Sequence, residues 1–449
     1  MLGVKTIGNA TLIAFDGGPI LATDPWFGDE DDACFGSWSL THEIPAAEKT
    51  EIREAKYIWF SHGHPDHLNP NSITRLRHAS ILLPDHVGNR IRNDLEAEGY
   101  NVTTLPDGRW VELSKRVKVF CLSDYIQDAV LLVDVGGRLF IDMNDSNAFA
   151  RLPVISEIAR KYRHSYLLKL SGYGGASLLN FFDPAGRRVE PKLDRRVGRF
   201  LSQYAQRIGA KSVIPFSSFH QYQREDSAWA NAYMPALSAY PDGFDERVAE
   251  FIPPFVWIDS ASGETIQLNP GELPRSLRKA EGCGDSWSDQ LDTDDKRVLD
   301  DYFYRKEALR DALRFISFRV GGKLYTTDLQ GKRDRGITFE VPRNSLMTAV
   351  THRVFDDLLL GGFMKITLHD ADFDRDFVFI TGKYADNGCA ETKDALRSYF
   401  SQYRQRSGSM DWIMHHLVNS GHTLFRRYVR SDSKLYTVAR DAYVKVLRH

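Results

Sequence analysis

The seven residues Ser61-His62-Gly63-His64-Pro65-Asp66-His67 constrain this chain more than any other feature. Three imidazoles and a carboxylate crowd a polar loop directly after the apolar run Ala55-Lys56-Tyr57-Ile58-Trp59-Phe60, which has strand composition. Side chains two apart on an extended segment project to one side, so His62 and His64 can face a common point. Asp66 and His67 then sit where a turn would aim them at a second point. Imidazole suits zinc and iron, and a carboxylate adds a hard oxygen donor. One segment can thus serve two neighbouring metal ions. Such a pair, about 3.5–4 Å apart, can activate a water for hydrolysis. If the ions are ferrous, they can instead bind and reduce dioxygen.

The rest of the chain sets the frame for that loop. With 449 residues, two domains are expected, or one enlarged domain with an appendix. A net charge of −2 leaves no electrostatic footprint for nucleic acid. The four cysteines form no CxxC pair, so neither a disulfide framework nor a zinc ribbon is expected. The amino-terminal residues lack the basic and apolar regions of a signal peptide, and no apolar run approaches the roughly 20 residues of a membrane helix. A cytoplasmic location without membrane attachment is the expectation.

TLIAFDGGPILATDPW reads as two strands about Asp16-Gly17-Gly18. ASILLPDH, RVKVFCLSD, DAVLLVDVGG and RLFIDMND are further strands, several running into polar loops. Helices are expected over 89–99, ended by Gly99, and over 192–209, ended by Gly209. Strands with inserted helices predict an α/β layered sandwich over residues 1–270. Residues 271–298 turn polar and acidic and read as a linker. Residues 299–449 read as a smaller α+β module that covers the site's edge or mediates dimerisation, with nothing catalytic in it. There, MKITLHDADFDRDFVFITG has the look of a strand pair.

The HxHxDH run, with Asp24-Pro25-Trp26 upstream, resembles the signature of the metallo-β-lactamase superfamily. That resemblance implies a four-layer αββα sandwich with a metal site at one edge. It implies that His62 and His64 hold a first metal and Asp66 and His67 a second. It also implies a bridging aspartate after a strand, for which Asp145 is the choice and Asp142 the fallback, and a late histidine, His220. A further histidine is expected in VKVFCLSDYIQDAV, which contains none; Asp124 takes that place, with Asp128 as second choice. A carboxylate there hardens the site and favours iron or manganese over zinc.

The stretches SYLLKLSGYGGASLLNFFD, AKSVIPFSSFHQYQREDS and NSLMTAVTHRVFDDLLLGGFMKITLHDADFDRD resemble the CMP-N-acetylneuraminic acid hydroxylases, in order along the chain. That resemblance implies iron at the site and the use of dioxygen. The hydroxylases' Rieske domain needs paired cysteines and histidines, which this chain lacks. The resemblance therefore implies a diiron oxygenase with an external electron donor, acting on a small polar or nucleotide-linked substrate. A zinc- or manganese-dependent lactonase or phosphodiesterase is the alternative. Asp66 and Asp145 are the expected catalytic carboxylates. His86, Lys169, Gly174 and Gly175 are candidate substrate contacts, the glycines lying in a loop without a P-loop Lys-Ser/Thr. The basic run from Arg187 to Arg199, including Arg195, reads as a solvated helix face, and His415 and His416 as structural. A homo-oligomer is compatible with all of this.

Overall fold

The computed structural model describes residues 1–413, apart from 29–30, 173–177, 194–195, 333 and 410. Two mixed sheets lie face to face. The first has eight strands in the order 265–267, 256–259, 2–7, 11–16, 18–23, 57–59, 80–83 and 102–104. Its strands are antiparallel as far as 18–23 and parallel from there on. The second has seven strands in the order 250–251, 212–216, 165–170, 138–144, 129–135, 117–123 and 110–112, parallel from 250–251 to 138–144 and antiparallel beyond.

The central strands of both sheets are buried on both faces, and the period-2 alternation of side chains assigns each residue to a layer. In Thr11–Asp16, Leu12 and Ala14 point into the core between the sheets, against Val119, Leu131, Phe140 and Leu168. Ile13 and Phe15 point the other way, into a core shared with Ile52 and Leu95 of the helices Ala46–Glu54 and Arg90–Ala97. The second sheet's outer face is covered by Leu152–Ala159 and Val197–Ile208. In the latter, Val197, Leu201, Ala205 and Ile208 form the buried stripe. Gly209 ends it at φ +80°, its N–H donating to the Ala205 carbonyl. The result is an αββα sandwich. Among the described residues no helix is long and apolar enough to cross a membrane.

The carboxy-terminal residues build a five-stranded sheet, 181–182, 365–369, 336–340, 315–320 and 323–328, with its own core under helices such as Thr293–Tyr304 and Arg343–Thr351. Its edge strand Phe181–Phe182 comes from the sandwich half of the chain, so the two parts interlock. The stretch 271–298, expected as a linker, is instead tied down along the sandwich. Leu273 N–H donates to the Thr41 carbonyl and Arg278 N–H to that of Gln223, Asp285 pairs with buried Arg224, and a helix begins at Thr293. A polar strap and a polar linker have the same composition. The expected second strand of MKITLHDADFDRDFVFITG is also corrected: only Lys365–His369 is a strand, and Asp374–Asn387 is a π-helix. Phe373 and Phe377, four apart, pack together into the module's core, a helical spacing that the run of apolar residues after Asp376 conceals.

Candidate metal centre

The site's side chains leave the carboxyl ends of strands in the parallel halves of the two sheets, where ligands of open α/β sheets gather. Asp24 follows 18–23, the His-rich loop follows 57–59, Asp145 follows 138–144, and His220 follows 212–216. A bulge between Asp142 and Asn144 breaks the strand register just before Asp145, and Asn144 adopts φ +46°.

Asp24, fully buried, organises the loop. Its Oδ1 accepts the Ser61 N–H at 2.7 Å. Its Oδ2 accepts the Ser61 hydroxyl at 2.7 Å, His67 Nδ1–H at 3.0 Å and the Asn144 amide. The His64 carbonyl accepts from the N–H groups of His67 and Leu68, a turn that folds His67 back to 4.3 Å from the His62 ring.

Two groups of donor atoms result. In the first, His62 Nε2 and His64 Nδ1 face each other at 2.8 Å, and the ligand atoms of His62, His64 and Asp145 lie within 4.8 Å of one another. Burial, with the neighbouring His67 and His64, holds His62 far below its ordinary value, so its ring is neutral. In the second, His67 Nε2 lies 3.4 Å from Asp66 Oδ2 and 3.7 Å from Asp145 Oδ2 without a hydrogen bond to either. Asn9 donates to Asp66 Oδ2 at 3.0 Å, and Ser217 donates to Asp145 Oδ1 at 2.8 Å. Burial pushes the His67 ring down, but the Asp66 and Asp24 carboxylates more than offset it, raising it to about 10. His220 stacks on Trp38, ring centroids 3.6 Å apart, and feels the charges of Asp145 and His67. Burial lowers it to about 3, and its Nε2 has no partner.

Buried polar atoms normally find partners. Here two ring nitrogens have none, two more face each other with room for a single proton, and two carboxylates converge on them. That donor set fits cations. His62, His64 and Asp145 can hold one, and Asp66, His67, Asp145 and His220 another.

Other candidates are placed differently. Asp124 does not offer a free oxygen: Oδ1 accepts from the N–H groups of Ile126 and Asp128, and Oδ2 from the Ser146 hydroxyl, closing a turn. Burial and the Asp128 charge raise it to about 8. Asp128, the second choice, keeps a buried Oδ1 without a hydrogen bond, 4.0 Å from Lys383 Nζ, and is the less encumbered of the two carboxylates. Asp142 lies inside the sandwich, where burial and the Asp24 carboxylate push it far up. Lys169, expected to meet an anionic substrate, is fully buried. Its ammonium donates to the carbonyls of Asn144, Asp145 and Ser146, so it secures the loop carrying Asp145. Gly174, Gly175, Arg195, His415 and His416 lie outside the described residues.

His86 stands behind the His-rich loop and is buried. Its Nε2 is 3.3 Å from the Ser61 carbonyl and its Nδ1 3.4 Å from the hydroxyl of Tyr403, on the carboxy-terminal helix Lys393–Ser407. Burial lowers it from 6.5 to about 4. The folded state therefore binds this proton less readily than the unfolded chain. The stabilising contribution is complete above pH 6.5 and is lost as pH falls toward 4, about 3 kcal/mol in all. Denaturant unfolding of the metal-free protein at pH 7 and pH 4.5 should show His86→Gln losing distinctly less stability on acidification than the parent. Equal losses would place the acid sensitivity elsewhere.

Sequence reasoning missed Asn9 and Ser217, which orient the carboxylates, and two residues of the carboxy-terminal module. Asp356 Oδ2 lies 2.9 Å from His64 Nε2, and Lys383 Nζ lies 2.9 Å from that oxygen. These contacts place part of the carboxy-terminal module against the His-rich loop, with side chains that sequence reasoning had no ground to single out. Neither residue sits in a local pattern that marks it: Asp356 reads as an ordinary acidic residue in a helix's first turn.

No family model matches the chain. Among curated proteins, it is 30% identical over 135 residues to a cytidine monophosphate-N-acetylneuraminic acid hydroxylase of Asterias rubens, covering 28% of this chain and 20% of that protein. The hydroxylase of Danio rerio is 29% identical over 131 residues, 27% of this chain and 22% of that protein. The chain thus spans about a fifth of the length of the curated relatives it matches. Among solved structures, a metallo hydrolase of Ignicoccus hospitalis aligns over 59% of this chain and 97% of its own, at 12% identity and a TM-score of 0.36. CmlA, a diiron β-hydroxylase of Streptomyces venezuelae, aligns over 60% of this chain and 54% of its own, at 14% identity and a TM-score of 0.37. Two facing mixed sheets, helices on both outer faces and an HxHxDH loop at the carboxyl ends of the parallel strands give this chain the metallo-β-lactamase fold.

Proposed function

We propose that this metallo-β-lactamase-fold metal enzyme is a diiron oxygenase of the hydroxylase type, acting on a small polar or nucleotide-linked substrate. The observation that carries the reading is the carboxylate in place of a third imidazole. Residues 117–130 contain no histidine, and Asp128 presents a buried oxygen without a hydrogen bond. With Asp66 and Asp145, that makes three carboxylates beside four imidazoles, a mixed set harder than an all-imidazole one, which favours iron or manganese over zinc. The similarity to hydroxylases, partial as it is, supports the same reading.

Two ferrous ions, when bound, would supply the capacity to bind and reduce dioxygen, given electrons from an external donor. The chain's own residues do the positioning. Asp24 holds the proton on His67 Nδ1 and leaves Nε2 turned to Asp66 and Asp145. Asn9 and Ser217 orient the two carboxylates. Lys169 fixes the backbone that carries Asp145.

The test is elemental analysis with Mössbauer spectroscopy on protein from iron-57-grown cells, purified without chelators. About two coupled irons per chain, with oxygen uptake once a reductant is added, is the expected result. Zinc or manganese, with turnover of a lactone or phosphodiester, would replace this reading by hydrolysis.

A further inference from the structure

We propose that Asp356 and Lys383, from the carboxy-terminal module, form a positioning pair that fixes the His64 ring in its ligating form, so that the first metal position is complete only when that module is docked. The inference rests on the reading of His62, His64 and Asp145 as metal ligands.

His64 comes from the loop of the first sheet, whereas Asp356 lies 292 residues later in the helix Phe355–Leu360 and Lys383 in the π-helix Asp374–Asn387. All three side chains are buried. Asp356 Oδ2 is 2.9 Å from both His64 Nε2 and Lys383 Nζ, and Lys383 Nζ is 3.4 Å from His64 Nε2 and 4.0 Å from Asp128 Oδ1. The approach is tight, since a Cβ at Gly382 would stand 3.0 Å from the Asp356 Cβ.

A neutral imidazole has one N–H and one lone pair. A carboxylate accepts only, so Asp356 requires the N–H on Nε2. That leaves the Nδ1 lone pair facing His62 Nε2 and Asp145, the direction from which a metal would be bound. Lys383 Nζ, 2.9 Å from Asp356 Oδ2, neutralises that carboxylate and holds it in place beside the ring. Ligating histidines generally donate their other N–H to such a partner, and losing the partner weakens metal binding about 10–100-fold. Here the partner is supplied by a different part of the fold from the ligand. Metal binding and docking of residues 355–387 are therefore linked, each favouring the other.

The test uses the full chain, stripped of metal and titrated with Co(II) alone by equilibrium dialysis, with visible absorption recorded in parallel. The parent is expected to take up two equivalents. Asp356→Asn should bind one of them about 10–100-fold more weakly, with a changed ligand-field spectrum for that equivalent, and should keep the other. Lys383→Met should weaken the same equivalent. Hydrogen exchange on parent protein should show slower exchange over 355–360 and 374–387 once Co(II) is bound. Unchanged binding and spectrum in Asp356→Asn, with a parent that takes two equivalents, overturns the pairing and leaves the metal reading standing. A parent that binds no Co(II) overturns both. An Asp356→Asn chain that fails to fold leaves Lys383→Met and the exchange measurement to decide, and no effect in either overturns the proposal.

Discussion

Exchange of Asp145 for asparagine is expected to remove most of the bound metal, with both positions losing affinity by at least about 100-fold, more than the loss of an outer partner brings. Asp145 is the one carboxylate shared by the two donor groups. It lies within 4.8 Å of the His62 and His64 ligand atoms, and its Oδ2 is 3.7 Å from His67 Nε2. Burial would raise its pKa, but His67, Ser217 and Lys169 hold it below the ordinary value, so it is an anion in the folded protein. Asparagine is isosteric and keeps an oxygen for the Ser217 hydroxyl, so the fold should persist. What it lacks is the charge and the second acceptor oxygen. Metal content after exhaustive dialysis, with a melting curve of the metal-free chain as control, reads this directly. A variant that keeps two equivalents would show that Asp145 is not the shared ligand.

The parts of this architecture that were legible were those written in contiguous residues. The alternation of Thr11–Asp16 and the apolar run before Ser61 marked strands, and Gly209 marked a helix end, because each is a local preference that tertiary packing reinforced. The HxHxDH loop was legible because its four donors lie within six residues. Asp145 was singled out through the family resemblance, as an aspartate just past a strand, and it lies beside His62 and His64. Asp124 and Asp128 could not be told apart, since both sit in one turn and only the closing hydrogen bonds decide which carboxylate is consumed. Lys169 looked like a substrate contact because it adjoins the glycine-rich loop, whereas three loop carbonyls draw its ammonium inward. Asp356 and Lys383 were invisible because their partner lies about 300 residues away and nothing near them encodes it. The π-helix was misread because its apolar residues crowd together in sequence, and only the packing of Phe373 on Phe377 reveals the helical spacing.

Asp24→Asn should be the most damaging single-atom change outside the ligands themselves: at least about 100-fold weaker metal binding and about 3 kcal/mol lower stability of the metal-free chain. Asp24 receives four donors, from the Ser61 backbone, the Ser61 hydroxyl, the His67 ring and the Asn144 amide. The last three share Oδ2. An amide nitrogen at that position would confront three donors with a fourth. Turning the amide round merely transfers the conflict to the Ser61 N–H. The cheapest relief is for His67 to move its proton to Nε2 and accept from the new amide through Nδ1. The proton that the ring keeps once neutral would then be held on the nitrogen that faces Asp66 and Asp145, the one a metal must occupy. The same exchange loosens the joint between the ends of the strands 18–23, 57–59 and 138–144, because the Asp24 carboxylate ties Ser61 and Asn144 to one point. Equilibrium dialysis and chemical denaturation separate the two effects. Metal affinity within about threefold of the parent's, despite a lowered stability, would mean that His67 does not depend on Asp24 for its tautomer, and that this carboxylate serves the fold alone.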